Sequence, residues 1–302
     1  MATRASGMAK GKGRFVLFST APAIILYLVF MIYPTIDVFR MSFFEFTGFG
    51  GKKATFAGLD NFKAMLTDKA FIHSFQNTIV LLVVVSLVVM AGGLGLAAIM
   101  TKEKLKAKGF YRFALYLPSV LSIVVVAAIF AAIYDQNNGL INGTLHFAGF
   151  DKLKHAWLGD EKTIIYSIAI AMVWQSLGYY LVLYMGGMSS IPTDVYEAAA
   201  LDGAGRWRQF IDITLPLTWS TLRTTLTFFI ISSINLAFVL VHAMTDGGPN
   251  GSSDVILNYM YKQAYTNSLY GYGMAIGVVV FIFSFGLALV VNRVTKRETE
   301  QF

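Results

Sequence analysis

The sequence predicts an all-α membrane protein with six transmembrane helices and both termini in the cytoplasm. Hydrophobic residues make up 56% of the 302 residues and charged residues 14%, against about 45–50% and about 25% in soluble domains. Several apolar runs reach the roughly 20 residues that a helix needs to cross a bilayer. The basic residues are also distributed unevenly among the segments that join these runs.

The apolar runs divide the chain into a short N-terminal tail (1–14), a transmembrane domain (15–292) and a C-terminal tail (293–302). The basic N-terminus followed by an apolar run resembles a secretory signal. The run is too long for one, however, and no small-residue cleavage site follows it. We therefore expect an uncleaved first span, whose apolar run ends in Tyr33-Pro34. The predicted spans are Phe15–Ile36, Thr78–Met100, Phe113–Tyr134, Thr163–Met185, Leu222–Met244 and Tyr272–Val291.

The distribution of charge predicts the orientation in the membrane. If the N-terminus is cytoplasmic, the segments on that side hold 15 of the 24 basic residues and 7 of the 17 acidic ones. Segments rich in Lys and Arg remain in the cytoplasm, so both termini, segment 102–112 and the loop around Glu197 are expected inside. Topology then accounts for the net charge of +7. We expect the lipid bilayer of the cell membrane as a partner, and no nucleic acid.

A patterned polar loop interrupts the apolar second half of the chain. Thr193 or Asp194 is suited to cap a helix that starts just after Pro192. The alanine-rich segment that follows favours a short helix. Gly203 or Gly205 is able to adopt the left-handed backbone that ends such a helix.

A second short helix is predicted after this turn, because Trp207, Phe210 and Ile211 recur at helical spacing on one face. Pro216 then suits the first turn of the next long helix. Together the two short helices form what we call the elbow, residues 190–217.

The elbow carries a spaced motif. Glu197-Ala198-Ala199 is followed by three residues and Gly203, then by nine residues, Ile213, one residue and Leu215-Pro216. This pattern resembles the EAA loop of the permease subunits of ATP-binding-cassette (ABC) importers. In that family the loop is cytoplasmic and its short helix sits in a cleft of the ATPase, so the resemblance implies the type I ABC importer permease fold. It assigns ATPase coupling to Glu197, Ala198, Ala199, Asp202, Gly203, Ala204, Gly205, Leu215 and Pro216.

Two shorter segments are similar to sugar-type members of this family. Gly58-Leu59 with Asn61-Phe62 precedes the second span, and Gly247-Gly248-Pro249 follows the fifth. The resemblance implies import of a sugar or oligosaccharide by alternating access. It also implies a second, different permease subunit, a dimeric ABC ATPase and an extracytoplasmic solute-binding protein as partners. A permease for a non-sugar solute such as an amino acid is the nearest alternative.

Catalytic motifs are absent from the sequence. It contains no GxxxxGK[ST], HExxH or GxSxG motif and no cysteine, and its four histidines are scattered. We therefore predict no catalytic site, no metal site and no cofactor bound by this chain. It is not expected to be an enzyme, and ATP and Mg²⁺ would bind the partner ATPase. An ATP-independent channel or facilitator is the alternative from another class of protein.

Charged residues are nearly absent from the predicted spans, which disfavours a proton-driven or ion-driven carrier. A neutral polar solute needs aromatic rings and uncharged hydrogen-bonding groups along its path. Gln175 and Tyr179 lie four residues apart, and Ser232 and Asn235 three apart, so each pair shares a helix face. Interhelical packing is the alternative role for such groups. The predicted substrate-pathway set is Gln175, Ser176, Tyr179, Tyr180, Phe229, Ser232, Ser233 and Asn235.

Overall fold

A computed structural model of the chain describes residues 2–48, 54–102 and 105–296. These residues are predominantly helical, with one pair of two-residue strands that the all-α prediction did not include. Among them, five helices are long and apolar enough to cross a membrane, and a bent helix pair makes a sixth if it forms one span. The chain divides into two compact units, Met1–Leu66 with Lys262–Val279 and Thr67–Tyr261 with Val280–Phe302.

The first unit begins with three helical elements that follow one another directly: α1 (Ala2–Tyr27), a π-helical turn (Leu28–Ile32) and α2 (Tyr33–Met41). Segment 1–14, predicted as a tail, is therefore helical from Ala2 onwards. The helix that is able to form the first span runs from Phe15 to Met41, so it continues past Tyr33-Pro34 and past the predicted end at Ile36. Pro34 lies in α2 just after the π-helical turn, and the backbone stays helical on both sides of it.

A small hairpin follows in the same unit. Strands β1 (Phe44–Glu45) and β2 (Thr55–Phe56) pair antiparallel, with Phe44 opposite Phe56. Helix α3 (Asp60–Thr67) comes next. Near its start, the Asn61 side chain donates hydrogen bonds to the backbone oxygens of Ser42 (2.9 Å) and Phe44 (3.0 Å). Asn61 belongs to a segment that resembles sugar-type permeases, and here it fastens α3 to β1.

The second unit holds most of the remaining helices. They are α4 (Lys69–Lys102), α5 (Lys108–Val120), α6 (Ile123–Ile133), α7 (Leu140–Phe147), α8 (Ile164–Ser189), α9 (Thr193–Leu201), α10 (Arg206–Gln209), α11 (Leu215–Leu217), α12 (Trp219–Met244) and α13 (Ile256–Tyr261). The last helix, α14 (Tyr270–Val294), belongs to the first unit up to Val279 and to the second thereafter. The second, fourth, fifth and sixth predicted spans correspond to α4, α8, α12 and α14. Residues 297–302 of the predicted C-terminal tail and residues 103–104 of the Lys-rich segment lie outside the described residues.

The core of the second unit lies where α4, α8 and α12 meet. Tyr184 of α8 is fully buried there. Its hydroxyl donates a hydrogen bond to the sulfur of Met90 on α4 and lies 3.1 Å from Oγ1 of Thr225 on α12. One polar side chain thus joins three helices in an otherwise apolar core, where each of its hydrogen-bonding groups needs a partner.

The third predicted span, Phe113–Tyr134, is not one straight helix. It consists of α5 and α6, which meet at an angle of 101°. Leu121 and Ser122 between them are extended, with ψ values of 145° and 136°. Hydropathy reports that the segment is apolar but carries no information about the path of the backbone, so the prediction of a single helix is wrong. The break sets the end of α5 beside α8, where a cavity opens.

The turn that follows α12 is held against α4. Gly247 has φ +79°, and the Gly248–Pro249 peptide is cis. The Asn77 side chain of α4 donates hydrogen bonds to the backbone oxygens of Ser252 (2.9 Å) and Asp254 (3.0 Å). A single amide thus fixes the loop between α12 and α13 to the neighbouring span.

Candidate functional site

The elbow opens with α9, whose first residue is Thr193. Pro192 occupies the cap position with φ −59° and ψ 140°, and no side chain caps the helix. The prediction that Thr193 or Asp194 caps this helix is therefore wrong, because proline itself supplies the extended backbone that a cap position requires. Asp194 lies in the first turn, where a carboxylate interacts favourably with the helix dipole.

The exit from α9 is a Schellman motif. Gly203 has φ +80°, so it takes the left-handed conformation predicted for Gly203 or Gly205, whereas Gly205 has φ −67°. The Gly203 N–H donates to the Ala200 oxygen (3.1 Å) and the Ala204 N–H to the Ala199 oxygen (2.9 Å). These two bonds satisfy carbonyls that a helix end leaves unpaired. The space beside Gly203 is open, so only its backbone conformation demands glycine.

The second half of the elbow contains α10 and a π-helical turn (Phe210–Thr214). The Trp207 and Phe210 rings share a face, with centroids 5.9 Å apart. Pro216 lies in the first turn of the three-residue helix α11 and not of α12, so its predicted place at the start of the long helix is wrong. Thr218 separates the two helices, and its hydroxyl donates to the Thr214 oxygen at 2.6 Å, a bond that bends helices.

A side-chain hydrogen bond closes the elbow. The Tyr196 hydroxyl lies 2.9 Å from Oγ1 of Thr214, which is buried. The Gln209 side chain donates to the Ala204 oxygen at 3.0 Å and ties α10 to the exit of α9. The sequence pattern did not single out Tyr196 or Thr214, because 18 residues separate them and neither belongs to the spaced motif.

One face of α9 is exposed. Glu197 and Ala198 are exposed and Ala199 is half-buried, while the side chain of Leu201 is 90% exposed. Small alanine side chains allow another surface to come close to the helix backbone, and an exposed leucine adds apolar area that a partner could cover. Of the other residues predicted for ATPase coupling, Asp202, Gly203, Gly205 and Pro216 are exposed, and Ala204 and Leu215 are half-buried.

A cavity of about 490 Å³ lies where the α5–α6 break, α8 and α12 meet, a size typical of small-molecule sites. Seven of the eight residues predicted for the substrate pathway line it: Gln175, Ser176, Tyr179, Tyr180, Phe229, Ser232 and Asn235. The eighth, Ser233, is buried elsewhere and donates to the Ile230 oxygen at 3.0 Å. Side chains that the sequence placed on the faces of two separate spans therefore share one cavity in the structure, and their contact with a substrate stays a prediction.

Aromatic side chains form part of the cavity lining, and the other lining groups are uncharged. The Tyr180 and Phe229 rings are both buried and meet edge to face, with centroids 5.0 Å apart. The Tyr179 ring, nearly half exposed, lies 5.2 Å from that of Tyr180. No charged side chain is among the described residues that line the cavity. Rings, hydroxyls and amides of this kind suit an uncharged polar ligand.

The sequence did not point to half of the lining. The missed residues are Ser119, Ile123, Leu183, Thr225, Phe228, Leu236 and Val239. Most of these residues are apolar and lie in spans that are apolar on all sides. Nothing in the sequence therefore distinguishes the residues that face the cavity from those that face lipid or other helices. Ser119 and Ile123 flank the α5–α6 break, and they reach the cavity because of that bend.

The four histidines each contact a polar side chain: His73 contacts Asn77, His146 contacts Asp151, His155 contacts Asp160, and His242 contacts Asn258. Within the part of the chain that the structure describes, no three His, Asp or Glu side chains form a group able to hold a metal ion. In the loop before α8, hydrogen bonds from Lys154 and His146 hold the pKa of the Asp151 carboxyl below its usual range. That shift follows from a local ion-pair cluster outside the cavity.

Comparison with known proteins identifies relatives along nearly the whole chain. The family model described as "Binding-protein-dependent transport system inner membrane component" matches residues 92–297. The chain is 35% identical to the probable ABC transporter permease protein YurN of Bacillus subtilis, over 93% of this chain and 95% of that one. It is 32% identical to the diacetylchitobiose uptake system permease protein NgcF of Streptomyces coelicolor, over 93% of this chain and 82% of that one.

A solved structure shares the fold. The crystal structure of a bacterial ABC transporter involved in the import of the acidic polysaccharide alginate contains a similar chain. The two chains superpose with a TM-score of 0.84, covering 97% of this chain and 99% of that one, at 24% sequence identity. This likeness confirms the predicted fold class, a helical membrane protein with the architecture of an ABC importer permease.

Proposed function

Because the chain belongs to the family of inner membrane components of binding-protein-dependent transport systems, we propose that it imports a neutral sugar or oligosaccharide. It is a multi-pass protein of the inner membrane. Within the importer it would be one of two different permease subunits, supplied with solute by an extracytoplasmic binding protein. The name of the Streptomyces relative, a diacetylchitobiose uptake permease, supports a sugar as the substrate.

The lining of the cavity is the observation that carries this proposal. Tyr180 and Phe229 offer ring faces and edges, while Gln175, Ser232 and Asn235 offer amide and hydroxyl groups. A sugar carboxylate held away from water would need a nearby positive charge. The described lining supplies none, which favours a neutral sugar over an acidic one.

The distribution of charge supports cytoplasmic termini and a cytoplasmic elbow. The segments assigned to that side net +8 and the outer segments net −1, as expected from the preference of Lys and Arg for cytoplasmic loops. This orientation would present the exposed face of α9 to a cytoplasmic ATPase. ATP and Mg²⁺ would bind that separate subunit, and this chain would hydrolyse nothing.

The elbow would transmit ATP-driven movement to the spans. Glu197 and Ala198 would contact the cleft of the ATPase, and the Gly203 turn would fix the direction in which the chain leaves it. The hydrogen bond between Tyr196 and Thr214 gives α9 a direct connection to the turn that precedes α12. Since α12 also lines the cavity, movement of the elbow would reach the sugar site and open it to each side of the membrane in turn.

Co-purification and uptake test the proposal together. The chain, tagged at its chromosomal locus, is purified from native membranes in mild detergent, and the accompanying proteins are identified by mass spectrometry. We expect a second EAA-bearing permease, an ATPase with a phosphate loop and a solute-binding protein. Purification of the chain alone, or only with copies of itself, from an intact preparation would contradict the importer and favour an ATP-independent channel.

The substrate is then tested in cells that lack the chain and in complemented cells. Radiolabelled maltose, cellobiose and diacetylchitobiose represent neutral sugars, a di-uronate represents acidic ones, and a mixture of amino acids represents other solutes. We expect ATP-dependent uptake of at least one neutral sugar in complemented cells only. Restoration of uptake for the di-uronate or the amino acids alone would contradict the neutral-sugar proposal.

A further inference from the structure

The hydroxyl of Ser119 lies between two backbone groups of a neighbouring helix. It donates a hydrogen bond to the Gln175 oxygen at 2.7 Å and accepts one from the Tyr179 N–H at 3.1 Å. In a regular α-helix, those two groups bond to each other, because they stand four residues apart. The side chain from α5 therefore bridges one step of the hydrogen-bond ladder of α8.

A close approach of the two helices makes this bridge possible. Gly178 of α8 faces the backbone of α5, and a β-carbon at that position would lie 1.9 Å from the Leu115 oxygen. Glycine alone leaves room for that contact. Ser119 comes one residue before the end of α5, where the chain turns into the α5–α6 break, so its side chain stays beside α8.

The bridged step lies in the wall of the cavity. Gln175 and Tyr179 both line it, as does Ser119 itself. A side chain inserted into a helical ladder alters the local pitch, and the direction of the flanking side chains changes with it. The only proton of the Ser119 hydroxyl is already donated to α8, so Ser119 has no donor left for a ligand and acts through that helix.

We propose that Ser119 is a positioning residue that sets the direction of Gln175 and Tyr179 toward the transported sugar. The substrate in this inference rests on the proposed function, whereas the hydrogen bonds of Ser119 are independent of it. Without the hydroxyl, the Tyr179 N–H and the Gln175 oxygen have only each other as partners among these three groups, as in a regular α-helix, and this changes the local turn and moves both side chains relative to α12.

Transport kinetics supply the first test. The importer purified with its partners is reconstituted into proteoliposomes, and uptake of whichever of maltose, cellobiose and diacetylchitobiose it carries is measured. With Ser119→Ala we expect KM to rise about tenfold, the effect of about 1.4 kcal/mol, with kcat within about twofold. Ser119→Thr, which keeps a hydroxyl, restores KM to within about twofold. Ser189→Ala, at an exposed position near the end of α8 and outside the cavity lining, leaves KM unchanged.

A labelling measurement tests the geometry without transport. The chain has no cysteine, so Tyr179→Cys gives a single thiol whose rate of reaction with a maleimide reports its exposure in the cavity. We expect Ser119→Ala to change that rate at least threefold, and Ser119→Thr and Ser189→Ala to leave it unchanged. An unchanged rate with Ser119→Ala would overturn the proposal, as would equal defects in the Ala and Thr variants. If no sugar is carried, the proposed function fails, and the labelling rates still decide the role of Ser119.

Discussion

The hydroxyl oxygen of Tyr196 lies 2.9 Å from Oγ1 of Thr214, and this contact closes the elbow across 18 residues. Thr214 is buried in the turn before α11, whereas Tyr196 belongs to the helix whose opposite face is exposed. A force applied to α9 therefore reaches that turn through a side chain as well as through the backbone. If the elbow couples a partner to the spans as proposed, this closure would make the transmission rigid.

Tyr196→Phe removes the hydroxyl and keeps the ring. A hydrogen bond of this kind contributes about 1 kcal/mol, so we expect an intact complex with a looser elbow. The ATP hydrolysed per sugar transported should rise about two- to fivefold, because part of each ATPase movement is no longer passed to the spans. The ratio is measured in proteoliposomes that contain the purified importer.

The same pair allows a double-mutant cycle. Thr214→Val removes the partner hydroxyl, and the combined variant removes nothing further from this contact. If the two groups act through one bond, the combined variant is no more uncoupled than the worse single variant. Additive effects of the two substitutions would show that they act independently.

Gly203→Val places a β-branched residue at φ +80°, where the left-handed backbone costs a residue with a β-carbon about 1–2 kcal/mol. No neighbouring atom lies within 4 Å of the added β-carbon, so the effect comes from the backbone alone. We expect membrane insertion to be normal and transport to be lost, with ATP hydrolysis no longer stimulated by sugar-loaded binding protein.

Two variants serve as controls for Gly203→Val. Gly203→Asn should retain much of the transport, because asparagine tolerates the left-handed conformation. Gly149→Val imposes the same strain on the same motif after α7, where Gly149 has φ +78° and Phe150 N–H donates to the Leu145 oxygen. It should leave the ATP-to-sugar ratio unchanged, and equal uncoupling by both valine variants would contradict a specific role for the elbow.

The sequence was sufficient to locate the spans but not to describe their path. Hydropathy depends on composition, so it found six apolar segments and missed the 101° angle between α5 and α6. That angle depends on two extended residues, Leu121 and Ser122, whose types are ordinary in helices and loops alike. The first span also extends beyond Pro34, because the backbone passes from the π-helical turn directly into α2, whereas proline in a sequence suggests the end of a helix.

The cavity residues show the same difference between what local sequence patterns reveal and what depends on contacts distant in the chain. Gln175 and Tyr179 were found because their spacing of four follows directly from helical geometry. Ser119 was not predicted to lie at the cavity, because its hydrogen-bond partners are backbone atoms 56 and 60 residues away in the chain. Backbone groups are the same in every residue, so no pattern of side chains in the sequence marks such a contact.

Gly178→Ala tests the contact between α5 and α8. The added β-carbon would lie 1.9 Å from the Leu115 oxygen, so the two backbones must separate. We expect a lower melting temperature and a loss of intact complex in detergent, because close-packed interiors tolerate added atoms poorly. Thermal unfolding is followed by size-exclusion chromatography with fluorescence detection.

Gly186→Ala is the matched control, since Gly186 lies in the same helix with no neighbouring atom within 4 Å. Alanine is favoured over glycine in helices by about 1 kcal/mol, so the melting temperature should stay the same or rise. A fall equal to that of Gly178→Ala would mean that α8 tolerates no β-carbon at either glycine, and that the contact with α5 is not the cause.

Ser232 and Ser233 are adjacent serines on α12 that make the same kind of helix bond but differ in exposure, because Ser232 is exposed and Ser233 is buried. Each donates its hydroxyl to a backbone oxygen three residues earlier, Ser232 to Phe229 (3.1 Å) and Ser233 to Ile230 (3.0 Å). Only Ser232 lines the cavity. Alanine at either position removes the same local bond, so a difference in KM between the variants reports the cavity-facing hydroxyl, which acts on the sugar directly or through its hydrogen bond to Tyr180.

We expect Ser232→Ala to raise the KM for sugar uptake about three- to tenfold, the effect of losing one hydrogen bond of about 1 kcal/mol, and Ser233→Ala to change it less than twofold. The melting temperatures of the two complexes should agree, because both serines make equivalent helix bonds. KM is measured in proteoliposomes at saturating ATP with a neutral disaccharide that the importer carries. An equal rise of KM in both variants would show that α12 is altered as a whole, and would remove the assignment of Ser232 to the sugar path.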